Sequence, residues 1–154
     1  GLLKKEGKSF EEVIKWVDEW KYKTSHLFTV DDLFFLYRGG RVKPTAYLAA
    51  SVLKVKPLMH MPNDGTLQPY GKVIGRKRSI SSLISRMAET IVDPENQTIF
   101  ICQGDCMDDV EFALEKIRAT IKVKDIKIFY TDPVVGTHSG PGTLAFFFFS
   151  NERA

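Results

Sequence analysis

The sequence predicts an α+β fold, a two-layer sandwich in which helices pack on a mixed or antiparallel sheet. Three observations lead there. Helical stripes of apolar residues recur between short β-rich runs. An Asn63-Asp64-Gly65 turn marks a hairpin between two of those runs, so one strand pair must be antiparallel. The chain has 154 residues, 44% of them hydrophobic and 27% charged, which fits one globular domain and excludes a disordered chain, a collagen-like repeat or a disulfide mini-protein.

The elements follow in order. Gly1 to Gly7 reads as the tail of a helix closed by a glycine. With a first residue other than Met, the chain is expected to be a piece of something longer. Ser9 and Glu12 form a capping box, and Phe10, Val13, Ile14 and Val17 then share one face, giving a helix over residues 10–21 with Trp20 continuing the stripe. Residues 25–30 read as a strand. Thr29 is expected to cap a short helix over 31–38, with Asp31 and Asp32 in its first turn and Gly39-Gly40 at its end. Pro44 opens another helix through Ala46, Leu48, Ala49 and Leu53. Residues 55–61 and 66–76 are the hairpin strands. Ser79 is expected to cap a helix holding Ile80, Leu83, Ile84 and Met87. A strand over 98–102, a helix bearing Val110, Leu114, Ile117 and Ile121, and strands over 125–130 and 145–150 complete the chain.

Composition bounds the function. Lys plus Arg is 22 and Asp plus Glu is 19, a net charge of +3. Nucleic-acid binding would need that charge gathered on one face with stacking aromatics, and only Tyr70 accompanies the basic run Lys72, Arg76, Lys77 and Arg78. That run, placed at the strand end, suits docking of an acidic protein surface or a plain solvated end. The longest apolar run is Leu144 to Phe149, far short of the ~20 residues of a membrane span. Cys102 and Cys106 make neither a disulfide framework nor a four-ligand zinc site, so no metal is expected and a reducing, cytoplasmic setting is the default. Cys102 is expected in a buried strand, and Cys106 in the loop before the next helix.

Two segments could carry chemistry. Val134 to Thr143 places Gly136, Gly140 and Gly142 around Thr137, His138 and Ser139. Such a loop can form an anion-binding nest, and His138 adds a donor whose charge changes near physiological pH. Arg38-Gly39-Gly40-Arg41 offers two planar forks suited to a carboxylate or phosphate. It is equally the ordinary end of a helix. Met59 and Met61 share a strand face that suits a core gap or a lipid tail. Of Phe146 to Phe149, strand alternation sends only every second ring to the core.

Several motifs occur together in order. Phe28-Thr29-Val30-Asp31-Asp32-Leu33, Leu36-Tyr37-Arg38-Gly39-Gly40-Arg41-Val42, Lys56-Pro57-Leu58, Asp64-Gly65, Gly71-Lys72 with Arg76, and Val135-Gly136-Thr137-His138-Ser139-Gly140-Pro141-Gly142 resemble stretches of the DegV family. The resemblance runs over almost the whole chain but covers only the C-terminal half of the family's two-domain protein. It implies the tail of an interdomain helical segment over 1–22 and a DegV-like lipid-binding domain over 23–154. It also implies a cytoplasmic bacterial carrier, not an enzyme, with a long-chain fatty acid as ligand, no cofactor, no nucleic-acid partner and no stable membrane insertion. The acid would lie in a cleft shared with an N-terminal domain, its carboxylate presented to a fatty-acid kinase. The headgroup residues would be His138 with Arg41 or Arg38, and Thr137, Ser139 and Gly140 beside them. Lys72 and Arg76 would dock the kinase. The family's further Thr and Ser ligands belong to the N-terminal domain. The rival reading from the residues alone is a small hydrolase or transferase using His138 as general base, which would want a nucleophile and an orienting carboxylate. A third is a structural domain without a site of its own.

Overall fold

The protein is described here by a computed structural model covering residues 1–51, 55–151 and 153. Six strands form one sheet: β1 (Thr24–Thr29), β2 (Val55–His60), β3 (Gln68–Ile74), β4 (Thr98–Gln103), β5 (Asp125–Tyr130) and β6 (Leu144–Phe149). Their order is β3-β2-β1-β6-β4-β5, with every neighbouring pair antiparallel except β4 and β5. A parallel pair needs a crossover, and helix α6 (Met107–Thr120) supplies it. The mixed sheet with its helices is the expected α+β architecture.

One face of the sheet is closed. Helices α5 (Arg76–Thr90) and α6 lie over Leu27, Leu58, Ile99, Ile101, Leu144 and Phe146, burying Ile80, Leu83, Ile84, Met87, Val110 and Ile117 between the layers. The phenylalanine run alternates as the pleat requires: Phe146 and Phe148 are buried, Phe147 and Phe149 only partly.

The other face is covered in pieces. The helix α3 (Phe34–Arg38) brings Leu36 onto Phe28 and Met59, with Leu33, Val42 and Leu67 alongside. Helix α4 (Pro44–Ser51) follows it, and Tyr47 stacks on Tyr37 of α3 at 5.1 Å. Leu53, expected in α4, lies outside the described residues. The N-terminal helices are α1 (Leu2–Lys5), ended by Gly7 at φ +77°, and α2 (Phe10–Trp20). Both hydrogen bonds of the Ser9–Glu12 capping box form.

Several boundaries differ from expectation. Phe10, Ile14 and Val17 are exposed, and α2 instead meets the sheet through Trp16 and Trp20, whose rings lie 5.9 and 5.0 Å from Phe149. The large indoles, one turn apart, define the contact stripe. Thr29 stays in β1, and Asp32 rather than Thr29 accepts the first N–H of α3, that of Phe34. Strand β3 ends at Ile74. Helix α5 starts at Arg76, after Gly75 at φ +97°, so Arg76 opens a helix instead of closing a strand. Ser79 therefore does not cap it: the hydroxyl donates to the Arg76 carbonyl one turn back. Cys102 is half-buried.

Candidate functional site

The glycine segment is partly helical. Asp132 accepts the N–H groups of Val134 and Val135, and Pro133 fills the first helical position of α7 (Pro133–Ser139). Gly140, at φ +78°, ends it. The N–H groups of Gly136 and Gly140 are spent within this turn, which removes the backbone nest expected of an open loop. An Asp-Pro start followed by Gly140 was the signal in the sequence for this helix.

Two motifs far apart in the sequence now meet. The His138 ring lies against Gly39, so close that a Cβ at position 39 would run into its Nδ1. Gly140 sits on the Phe35 ring, and Gly142 on Asp31, with no room for a side chain at either. Asp31 is in turn held by Lys56, whose ammonium lies 2.5 Å from its carboxylate. Hence Gly39, Gly140 and Gly142 serve the packing of α7 and its turn against α3 and the Asp31 segment before it.

The predicted headgroup residues divide. His138 is half-buried, and its Nδ1 has no hydrogen-bond partner among the described residues. Thr137 donates to the Pro133 carbonyl and Ser139 to that of Val135, so both hydroxyls are occupied by their own helix. Arg38 lies over the rings of Phe34 and Phe35. Arg41 donates to the Gly39 carbonyl and also lines a cavity.

That cavity, which no sequence motif announced, has a volume of about 670 Å³. It lies on the α3–α4 side of the β2–β3 hairpin, and its apolar lining includes Leu33, Val42, Pro57, Met59, Leu67 and Tyr70. Met59 is thus one of the two methionines placed for a tail, while Met61 lies beyond the strand. Arg41, Lys43 and Lys72 bring cations to the lining, and no carboxylate joins them among the described residues. The size is that of a small-molecule site. Burial also pushes the Tyr70 phenol up to about 12, so it is neutral at any ordinary pH.

The docking candidates separate as well. Lys72 is exposed on β3. Arg76 turns inward: its Nε donates to Asp109 of α6 at 2.8 Å and its Nη2 to the Gly142 carbonyl at 2.5 Å. Burial raises the thiols of Cys102 and Cys106 above their ordinary value, so neither is an activated nucleophile. No group of three metal-ligating side chains occurs among the described residues, and no described helix is long and apolar enough to cross a membrane.

A family model described as "Uncharacterised protein, DegV family" matches residues 2–151. The chain belongs to the DegV family. A DegV domain-containing protein of Clostridium perfringens is 44% identical over 151 residues, 98% of this chain and 52% of that protein. The DegV chain thus spans about half the length of the curated relatives it matches. Among solved structures, a Thermotoga maritima protein described as revealing a fatty-acid-binding function is 31% identical, with a TM-score of 0.76, 96% of this chain and 51% of that one being covered. The Fak B3 protein of Streptococcus pneumoniae, a fatty-acid kinase component loaded with linoleic acid, shares the DegV fold at a TM-score of 0.86 and 23% identity, over 97% and 52% of the two chains.

Proposed function

We propose that this DegV chain is the lipid-holding half of a fatty-acid carrier. The observation that carries the reading is the cavity: an apolar wall with cations and no carboxylate among its described lining residues suits an alkyl chain ending in a carboxylate. Met59, Pro57 and Leu67 would cover the tail. Arg41 would meet the carboxylate, with His138 beside it on Gly39. The α7 turn at Thr137, Ser139 and Gly140 would shape that end of the site, and Arg38 would flank it on the Phe35 ring. The remaining headgroup contacts would come from the other half of a DegV-length protein.

The finer reading is that the carrier presents its carboxylate to a fatty-acid kinase, in the cytoplasm and without a cofactor of its own. The exposed Lys72 and the neighbouring start of α5 at Arg76 would then face the kinase. A general-base role for His138 gains no support from its surroundings. Among the described residues no carboxylate orients its Nδ1, and the adjacent hydroxyls donate to backbone carbonyls.

The test is extraction of the full-length protein. Mass spectrometry is expected to find a co-purified long-chain fatty acid. A lipid-free extract from protein that also fails to take up palmitate overturns the reading.

A further inference from the structure

We propose that Arg76 is a positioning residue, a two-ended clamp that sets the glycine turn carrying His138. The proposal rests on His138 being a headgroup partner. Its grounds are geometric. Arg76 is a cation in the first turn of α5, where the helix dipole opposes positive charge, and it is mostly buried there, its side chain 16% exposed. Its fork spans two elements: Nε binds Asp109 of α6, and Nη2 binds the carbonyl of Gly142. The third arm, Nη1, is buried with no partner among the described residues, so the placement is not one that maximises the arginine's own hydrogen bonding.

The clamp is linked to His138 by a short chain of hydrogen bonds. Gly142 donates to the Gly104 carbonyl at 2.6 Å, and Gly104 donates to the Thr143 carbonyl at 2.8 Å, which docks the turn onto the end of β4. The Thr143 hydroxyl donates to the Gly140 carbonyl at 2.7 Å, and the Gly140 N–H closes α7 on Gly136. On its far side the same turn rests on Asp31 and Phe35. Arg76 thus supports from the helical layer the turn whose other side faces α3. A lysine would bring a single nitrogen in place of the two that Arg76 aims at Asp109 and Gly142, so it could not reproduce both contacts in this fixed geometry.

The experiment follows the His138 ring directly. The protein is labelled with ¹³C-histidine, and the imidazole Cε1–Hε1 resonance is titrated in Arg76→Lys, in Asp109→Asn and in Lys77→Ala, a neighbouring exposed control. Expected in the first two variants are a moved His138 resonance, a thermal midpoint lowered by the loss of a mostly buried ion-pair contact, and palmitate affinity lower by about threefold to tenfold. The control should match the parent. If Arg76→Lys does not fold, Asp109→Asn, which keeps the side-chain shape, decides alone. An unmoved His138 resonance in the folded variants overturns the clamp, as does an equal shift in Lys77→Ala. The parent and variants are full-length proteins; should that parent fail to bind palmitate, the lipid reading falls, while the resonance still tests the clamp.

Discussion

The face of the sheet under α5 and α6 holds a continuous core, whereas the face under α3 and α4 holds a cavity and leaves aromatic rings in water. Ile101 and Phe146 are fully buried on the first. On the second, Phe100 and Phe129 stack on each other at 6.1 Å and remain 40% and 49% exposed. The same strands serve both faces, so the difference lies in what the connecting segments supply. Residues 76–90 and 107–120 are full-length amphipathic helices, while 34–38 is barely more than one turn. Stability is concentrated on one side and space for a ligand on the other.

The sharpest break of this comparison is a truncation on each face. Phe146→Ala should destabilise the protein by about 3–5 kcal/mol in chemical denaturation, the usual cost of emptying a large buried site. Phe129→Ala should cost about 1 kcal/mol or less. Equal losses would mean that the open face carries as much of the fold as the closed one.

Next in size is the meeting of the two glycine motifs. His138→Ala should lower palmitate affinity of the full-length protein about tenfold to a hundredfold, the worth of a hydrogen bond to a charged group. Gly39→Ala removes no polar atom, yet its methyl group must push the His138 ring aside, and calorimetry should show a fall of the same order. Full affinity in Gly39→Ala would place His138 outside the site.

A third prediction probes the partly covered face by pH. Burial, and to a smaller degree the nearby Arg153, push His26 down to about 4 from the ordinary 6.5. The folded protein therefore keeps this ring neutral while the unfolded chain takes up a proton. Stability from this source is complete above pH ~6.5 and is lost as the pH falls toward ~4. Because the ring is partly exposed beside Phe147, the effect should be modest. In His26→Gln the slope of stability against pH should flatten in that window, and an unchanged slope would assign it to other groups.

The smallest expected effect is at the surface. Lys72→Ala should leave stability within about 0.5 kcal/mol. Turnover of the bound acid by a partner kinase should slow at low salt, with the difference from the parent shrinking as salt screens the charge. Loss of lipid instead would show that Lys72, which also lines the cavity, holds the acid rather than docking the kinase.

How far these features were legible depended on how local their causes are. The capping box at Ser9, the turn at Asn63-Asp64-Gly65 and the alternation of Phe146 to Phe149 are each decided within a few residues, and each forms as read. In the turn, the Gly65 N–H reaches the Pro62 carbonyl, and the Asp64 carboxylate, accepting from Thr66, is held below its ordinary value. Arg76 was misplaced because strand and helix abut at Gly75, and nothing local says on which side of that glycine the arginine falls. The α7 helix was hidden by its glycines. The cavity was out of reach altogether, since it is made where the β2–β3 hairpin faces the α3–α4 segment, a relation set by the sheet and not by any one stretch. The family motifs, in contrast, were visible as words before their contacts were known.

The placement of β6 has a kinetic consequence. It is the last of the six described strands, yet it lies in the middle of the sheet between β1 and β4. Ser25 and Ser150, whose hydroxyls lie 2.6 Å apart, are separated by 125 positions. Until the ribosome has released Leu144 to Phe149, β1 and β4 have exposed edges where their shared neighbour belongs. Long-range closure of this kind is slow. The nascent chain would spend that interval with its apolar strands unpaired, in the state most prone to aggregate or to engage a chaperone.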